Sequence, residues 1–257
     1  MKSVLLLFLF SSAGTLFAQN TDNDSLKNIL WDQAADARKL GYYETSLRLL
    51  SRAVSLYADD ADLYNSRGKT YFDMAMSGRY DHEADTLLAL ALADYNVSIR
   101  AAHNDTIKSE AMSNRAAVFG VQGNFEKCLE DLNAAVLLNP ENLNAYLNRS
   151  LLYTNTGEYA LAIDDLSRYL DRKPDSEELL YERGMLHRTL SQSRLALDDL
   201  NRAIALNPDA PGLYFLERAR AHAQAGHKKA ARADYEEAER RGASLAADDR
   251  EWLKKKK

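Results

Sequence analysis

Apolar and polar positions recur along the middle of the chain with a constant spacing. The segments 128–132, 162–166 and 196–200 each carry two apolar residues, then an acidic pair, then leucine. A proline follows each segment, and the spacing from one proline to the next is 34 residues. These prolines are Pro140, Pro174 and Pro208. Because proline cannot continue a helix, the pattern predicts helices that end near each proline.

When six segments are aligned at this spacing, side-chain size is nearly constant at several positions. Small residues occupy position 8, namely Ala34, Gly68, Ala116, Ser150, Gly184 and Ala219. Small residues also occupy position 20, namely Ser46, Ala91, Cys128, Ala162, Ala196 and Ala231. Large residues occupy position 24, namely Leu50, Tyr95, Leu132, Leu166, Leu200 and Tyr235. A large side chain where two helices cross pushes their axes apart, so positions 8 and 20 predict a close crossing within each segment.

This pattern resembles the tetratricopeptide repeat, which places two antiparallel helices in 34 residues. The resemblance implies an all-α fold, a right-handed superhelical solenoid of about six helix-turn-helix repeats. The predicted repeats are 27–60, 61–105, 109–142, 143–176, 177–210 and 212–245. Residues 19–26 precede them, and 246–257 are predicted to form a capping helix and a lysine tail. The second repeat carries an insertion at 76–88, which is either a partner contact or a tolerated loop extension.

The first 18 residues differ from the rest of the chain. Met1-Lys2-Ser3 gives a positive start, an apolar run follows, and small residues precede Ala18. This is typical of a secretory signal peptide, with cleavage expected after Ala18 or else after Ala13, although a buried N-terminal helix is the alternative. Cys128 is the only cysteine, so no intramolecular disulfide can form. We therefore expect an exported protein of the bacterial periplasm, or of the cell envelope or extracellular space otherwise.

Charge and motifs exclude several classes of function. The net charge of −5, with acids and bases interleaved, offers no basic footprint for nucleic acid. No second apolar stretch is long enough to span a bilayer. Asp81-His82-Glu83 resembles a metal site only loosely, because the residues are contiguous and no second histidine stands at ligand spacing. We find no catalytic motif, and Cys128 occupies a small-residue position that favours an inert buried thiol. The sequence predicts no enzyme, no cofactor and no metal.

The resemblance implies a concave groove that binds a protein or peptide partner and is lined by the first helix of each repeat. The predicted groove residues are Asn114, Asn144, Leu147, Asn148, Leu151, Tyr181, Glu182, Met185, Arg188, Leu216 and Arg220. The first two repeats add Trp31, Asp32, Asn65, Ser66 and Lys69. Amide side chains can pair with both N–H and C=O of a peptide backbone, which favours an extended peptide over a merely solvated surface. A carboxylate clamp known in the family is not predicted, because Glu178 and Glu182 stand where cations are needed.

Two further positions carry opposite charges. Arginine occupies position 7 in five repeats, at Arg67, Arg115, Arg149, Arg183 and Arg218. Aspartate occupies position 23 in five repeats, at Asp94, Asp131, Asp165, Asp199 and Asp234. We expect bidentate arginine–carboxylate pairs between adjacent helices; a basic stripe that binds an acidic partner is the alternative.

These observations predict a non-enzymatic protein–protein interaction scaffold. A chaperone-like adaptor, a self-associating spacer and an enzyme regulator are the other functions that the sequence leaves open. Neither the identity of the partner nor the oligomeric state can be read from the residues.

Overall fold

The structure, a computed structural model, describes residues 23–255. The predicted signal peptide at 1–18 and the last two lysines lie outside the described residues. Thirteen α-helices and one short 3-10 helix, with no strand, form the described part of the chain. The first helices are α1 (Asn23–Lys39), α2 (Tyr43–Leu56), α3 (Ala61–Met76), the 3-10 helix (Asp81–Glu83), α4 (Ala84–Ala101), α5 (Asp105–Val121) and α6 (Phe125–Leu138). The remaining helices are α7 (Leu143–Thr156), α8 (Tyr159–Arg172), α9 (Glu177–Thr189), α10 (Ser193–Leu206), α11 (Gly212–Gln224), α12 (Lys228–Arg240) and α13 (Ala247–Lys255).

The helices pack as successive hairpins. Each odd-numbered helix from α1 to α11 contacts the even-numbered helix that follows it, and each even-numbered helix from α2 to α10 contacts the next odd-numbered one. This arrangement is an all-α solenoid and confirms the predicted fold class. The first hairpin begins at Asn23, before the predicted repeat boundary at residue 27.

The turns inside the hairpins have a common geometry. Gly41, Gly123, Gly157 and Gly226 adopt positive φ after α1, α5, α7 and α11. Glycine tolerates this left-handed conformation because it has no Cβ, and so it ends the first helix of these four hairpins. After α9 the same conformation falls on Ser191, with φ of 58°, the only non-glycine residue with positive φ among the described residues.

The small residues at positions 8 and 20 are buried at the helix crossings. Ala34, Ala116 and Ala219 have no exposed surface, and the same is true of Ala162, Ala196 and Ala231 at position 20. At Gly184 a Cβ atom would come within 2.9 Å of Leu200 Cγ, closer than carbon atoms pack. The size pattern therefore reflects direct contact between the two helices of each hairpin.

The insertion in the second repeat packs against the first repeat. It continues from the end of α3 through the 3-10 helix into α4, and it places Leu87 and Leu88 in the core. The hydroxyl of Tyr80 donates a hydrogen bond to the Glu44 carboxylate at the start of α2. Packing therefore accounts for part of this segment, so a binding role is not needed to explain its presence.

The arginine and aspartate positions pair as the sequence predicts. Arg149 donates from Nε and Nη2 to the two carboxylate oxygens of Asp165, at 2.8 and 2.7 Å. Its Nη1 also donates to Asn133 Oδ1 on α6, at 2.8 Å, which links one hairpin to the preceding one. Equivalent bidentate pairs join Arg67 to Asp94, Arg115 to Asp131, Arg183 to Asp199, and Arg218 to Asp234. These arginines stabilise the solenoid and do not form a free basic stripe.

The last helix, α13, covers the end of the sixth hairpin. Asp249 accepts hydrogen bonds from Arg220 Nε and Nη2 at 3.1 and 2.7 Å, and from the Tyr235 hydroxyl at 3.0 Å. Trp252 packs its ring against Tyr235, with a centroid separation of 5.5 Å. This helix thus supplies the contacts that a seventh repeat would otherwise provide.

Candidate functional site

The odd-numbered helices form the inner layer of the solenoid. In addition to their hairpin partners, α1 contacts α3, α3 contacts α5, α5 contacts α7, and α9 contacts α11. Helices that approach each other across hairpins lie on the tighter, concave side of a curved stack. The surface that the sequence analysis assigned to a partner is therefore the surface formed by these helices.

A cleft opens between α1, α3 and α5 and reaches the start of α7. Its volume is about 630 Å³. We call it the N-terminal cleft, and the side chains that matter below are Trp31, Asp32, Asp62, Asn65, Ser66, Lys69, Glu110, Asn114 and Asn144. It brings together two of the eleven principal groove residues, Asn114 and Asn144, with the five predicted on the first two repeats.

Two asparagines form a hydrogen-bonded pair in this cleft. Asn114 Nδ2 donates to Asn65 Oδ1 at 2.9 Å, and Asn65 is only 9% exposed. Within the described residues, the amino group of Asn65 and the amide oxygen of Asn114 have no hydrogen-bond partner. The pair therefore retains one donor and one acceptor beside the cleft, the combination that a peptide backbone requires.

The ionisable groups of the N-terminal cleft are mainly acidic. Asp32, Asp62 and Glu110 line it and have no salt bridge among the described residues. Burial, reinforced by the charge of Asp60, raises the pKa of Asp62. Burial and the charge of Asp62 likewise raise the pKa of Glu110. Asp62 is half-buried, whereas Asp32 and Glu110 are exposed, and none of the three has a directly bonded cation among the described residues.

Asp62 and Glu110 are absent from the predicted groove set. Both stand at position 2 of their repeats, on the first helix, which the family resemblance assigns to the groove. The signal that identifies them was therefore present in the repeat register. Position 2 holds an acidic residue in three of the six repeats, Asp62, Glu110 and Glu178, and a basic residue in none.

Side chains in the middle of the inner surface contact neighbouring helices more than those of the N-terminal cleft do. Asn148 Nδ2 donates to the backbone oxygen and the hydroxyl of Ser113, both at 3.3 Å, so its amino group helps to join α7 to α5. Leu147 is half-buried against a core cluster, whereas Leu151 is 61% exposed. Of the two leucines, only Leu151 presents most of its surface to solvent.

The C-terminal end of the inner surface is occupied by contacts within the chain. Arg188 and Arg220 both donate to the Glu217 carboxylate, and Arg220 also binds Asp249. Tyr181 stacks on Tyr214 with ring centroids 4.2 Å apart. The two arginines are therefore already neutralised, and a partner must break these ion pairs in order to use them.

One predicted groove residue lies in the core, and its prediction is wrong. Leu216 is only 3% exposed and belongs to the hydrophobic core around α11 and α12. Its neighbours in the predicted set differ, since Glu182 is exposed and Met185 is half-buried. Leu216 therefore packs in the solenoid core and is not available to a partner.

Other reactive groups of the described chain form no further site. Burial, followed by the charge of Asp131, raises the pKa of Cys128 to about 11, so its thiol is protonated at neutral pH. Residues 23–255 contain no cluster of three or more side chains suited to hold a metal ion. No helix in the same part of the chain is long and apolar enough to cross a membrane.

The hairpin stack, the close crossings and the concave inner layer define a helical-repeat solenoid. Residues 117–180 match the family model described as tetratricopeptide repeat. No curated protein sequence matches the chain at a significant level. The match and the shared architecture support a tetratricopeptide-repeat protein.

Solved structures share this fold at low sequence identity. The C-terminal part of a TPR repeat-containing protein from Cytophaga hutchinsonii is 18% identical, with a TM-score of 0.64 over 88% of this chain and 84% of that chain. A crystal structure of MamA protein is 17% identical, with a TM-score of 0.52 over 72% of this chain and 94% of that one. A MamA RS-1 double mutant is 14% identical, with a TM-score of 0.55, covering 67% and 93% of the two chains. At these identities the similarity shows the fold alone.

Proposed function

We propose that this protein is a non-enzymatic interaction scaffold that holds an extended peptide segment of a partner protein in the N-terminal cleft. The observation that carries the proposal is the Asn65–Asn114 pair, which keeps one amide donor and one acceptor unused beside the cleft. Both groups still reach solvent, so a peptide backbone can replace their water contacts with direct hydrogen bonds.

The dimensions of the cleft suit a peptide. Adjacent packed helices lie roughly 8–10 Å apart, so the four odd-numbered helices α1, α3, α5 and α7 together extend over roughly 25–30 Å. An extended chain advances about 3.3 Å per residue, so this distance holds about eight or nine residues. The lining is largely polar, which favours a defined peptide over the broad capture of unfolded apolar segments by a chaperone-like adaptor.

We further propose that the protein acts after export, in the bacterial periplasm or cell envelope. The N-terminal pattern of positive start, apolar run and small residues supports export, and the single cysteine is compatible with an oxidising compartment. Cell fractionation followed by N-terminal sequencing tests this point. A mature chain that begins at Gln19 is expected, and a chain that keeps Met1 in the cytoplasmic fraction contradicts export.

The binding proposal is tested by affinity capture from an envelope extract, with mass spectrometry to identify what is retained. The bait is residues 19–257, alongside a variant with Asn65→Ala and Asn114→Ala. A second variant, with Gln122→Ala and Gln224→Ala, removes two exposed amides outside the cleft and serves as the control. Circular dichroism and the melting temperature establish that all three are folded.

A partner retained by the wild type and by the control, but lost with the asparagine variant, is the expected result. A partner retained equally by all three proteins contradicts binding in the N-terminal cleft. Self-association without any captured partner instead favours the structural spacer.

A further inference from the structure

We infer that the peptide bound in the N-terminal cleft is basic, with a lysine or arginine side chain lying among Asp32, Asp62 and Glu110. This inference rests on the proposed function, because it specifies the chemistry of the peptide that the cleft receives. Three kinds of observation support it: the balance of charge in the cleft, the aromatic ring at its rim, and the charges on the rest of the inner surface.

The charge balance of the cleft is negative. Its three unpaired carboxylates face two cations, Arg38 and Lys69. Arg38 is already ion-paired with Asp73 on α3, so its charge is compensated by that contact. Lys69 is the one lining cation that has no salt bridge among the described residues. The cleft therefore carries a net negative charge even with Lys69 counted, and a cationic side chain from a partner compensates it.

The carboxylates carry a cost that a cation relieves. Burial disfavours the ionised forms of Asp62 and Glu110, and the two groups repel each other, so both pKa values are raised in the free protein. A bound ammonium or guanidinium group favours the ionised forms. Binding of a basic peptide is therefore expected to lower both pKa values, so that any protons held by these carboxylates are released on binding.

Trp31 supplies a surface for the aliphatic part of a basic side chain. Trp31 as a residue is 39% exposed. Its Nε1 donates to Ser66 Oγ at 2.6 Å, which fixes the ring between α1 and α3. Lysine and arginine stems pack along apolar surfaces, and their charged ends are attracted to aromatic faces. An acidic side chain gains neither contact.

The inner surface beyond the cleft also carries uncompensated negative charge. Glu178 and Glu182 keep much of their surface exposed on α9. Partial desolvation, followed by the charge of Glu178, raises the pKa of Glu182. Arg188 and Arg220 are compensated by Glu217 and Asp249. A basic segment that extends along the inner surface thus meets carboxylates at both ends, whereas an acidic segment is repelled.

The test uses Trp31 as the reporter in the full-length mature chain. Trp252→Phe removes the other tryptophan and keeps an aromatic ring beside Tyr235. The probes are three capped peptides of about ten residues in which alanine alternates with lysine, glutamine or glutamate. Fluorescence titration is carried out in low salt and again in roughly 0.5 M salt, where surface charges are strongly screened.

We expect the lysine peptide to bind at least about tenfold more tightly than the glutamine peptide and to weaken strongly in high salt. Asp62→Asn with Glu110→Gln should reduce affinity for the lysine peptide by about tenfold. The matched control, Asp198→Asn with Glu236→Gln, makes the same charge change at exposed positions on α10 and α12 and should leave the affinity unchanged.

Equal, salt-independent affinity for the lysine and glutamine peptides overturns the inference but leaves the proposed peptide scaffold intact. Failure of the lysine peptide to bind also overturns it, and the capture experiment with the asparagine variant then decides the proposed function separately. Sedimentation velocity tests whether a second copy of this chain occupies the cleft instead of a partner peptide. A dimer that disappears in the variant with Asp62→Asn and Glu110→Gln would assign the cleft to a second copy of this chain and overturn the partner peptide.

Discussion

Replacing Asp165 by alanine removes the carboxylate from one of the five arginine–aspartate pairs, in the middle of the solenoid. The side chains of Arg149 and Asp165 are only 16% and 5% exposed, and two hydrogen bonds of 2.7 and 2.8 Å join them. In the variant the guanidinium keeps its bond to Asn133 but loses both carboxylate contacts. A partly buried positive charge is then left without its counterion.

The expected cost follows from these contacts. Breaking a fully buried ion pair destabilises a protein by about 3–5 kcal/mol. Arg149 retains some solvent exposure and the Asn133 contact, so we expect about 2–3 kcal/mol for Asp165→Ala. Replacing both residues, with Arg149→Met and Asp165→Leu, removes the unpaired charge. The double variant should therefore be less destabilised than the sum of the single ones, with a coupling of about 2 kcal/mol.

Urea unfolding followed by helical circular dichroism measures these differences. The slope of the free energy against urea must be similar for all variants, because long repeat arrays can unfold in parts. Effects of Arg149→Met and Asp165→Leu that add within about 0.5 kcal/mol would show that the pair contributes no coupling. That result would refute the view that these pairs hold adjacent helices together.

Three further changes are expected to alter stability in defined directions. Gly184→Ala should lower the free energy of unfolding in urea by about 1–3 kcal/mol, because the new Cβ would lie within 2.9 Å of Leu200. A stabilised variant would show that helix propensity prevails over packing. Ser191→Gly should stabilise by about 0.5–1 kcal/mol and raise the melting temperature, because glycine tolerates the φ of 58° at this turn, and an unchanged or lower melting temperature would contradict this. Burial disfavours the Asp249 carboxylate, but hydrogen bonds from Arg220 and a tyrosine outweigh it and lower its pKa. Its contribution to docking of α13 is therefore present above the unfolded pKa of about 3.9 and is lost as pH falls through the lower folded pKa. Asp249→Asn should accelerate hydrogen exchange in α13 at neutral pH, and unchanged exchange would contradict this role.

The solenoid and its internal contacts could be predicted because they are local and repeated. Ala196 and Leu200 face the neighbouring helix of their own hairpin, and the same geometry imposes the same size requirement in every repeat. The pairing of Arg149 with Asp165 follows from the same register, since the two positions recur at fixed spacing. Such features need only the period and the sizes and charges of the side chains.

The availability of groove residues could not be predicted in this way. Leu147 and Leu216 hold the same position in their repeats, yet Leu147 is half-buried and Leu216 is 3% exposed. The difference arises because Leu216 lies in the core cluster around α11 and α12, which also takes in Trp252 from the capping helix. Exposure depends on contacts between distant segments, and the repeat register contains no information about them.

A repeat protein builds every repeat from the same positions, so its binding site must be sought among groups that inter-repeat contacts leave unsatisfied. At the C-terminal end, Glu217 and Asp249 satisfy the inward-facing arginines, and a partner there gains nothing until it has replaced those ion pairs. At the N-terminal end, the amino group of Asn65 and the carboxylate of Asp62 are partly desolvated and have no bonded partner among the described residues. A ligand can therefore gain their interactions without first breaking contacts within the chain. The two halves of one continuous surface therefore differ in what binding costs, and this difference favours the N-terminal cleft.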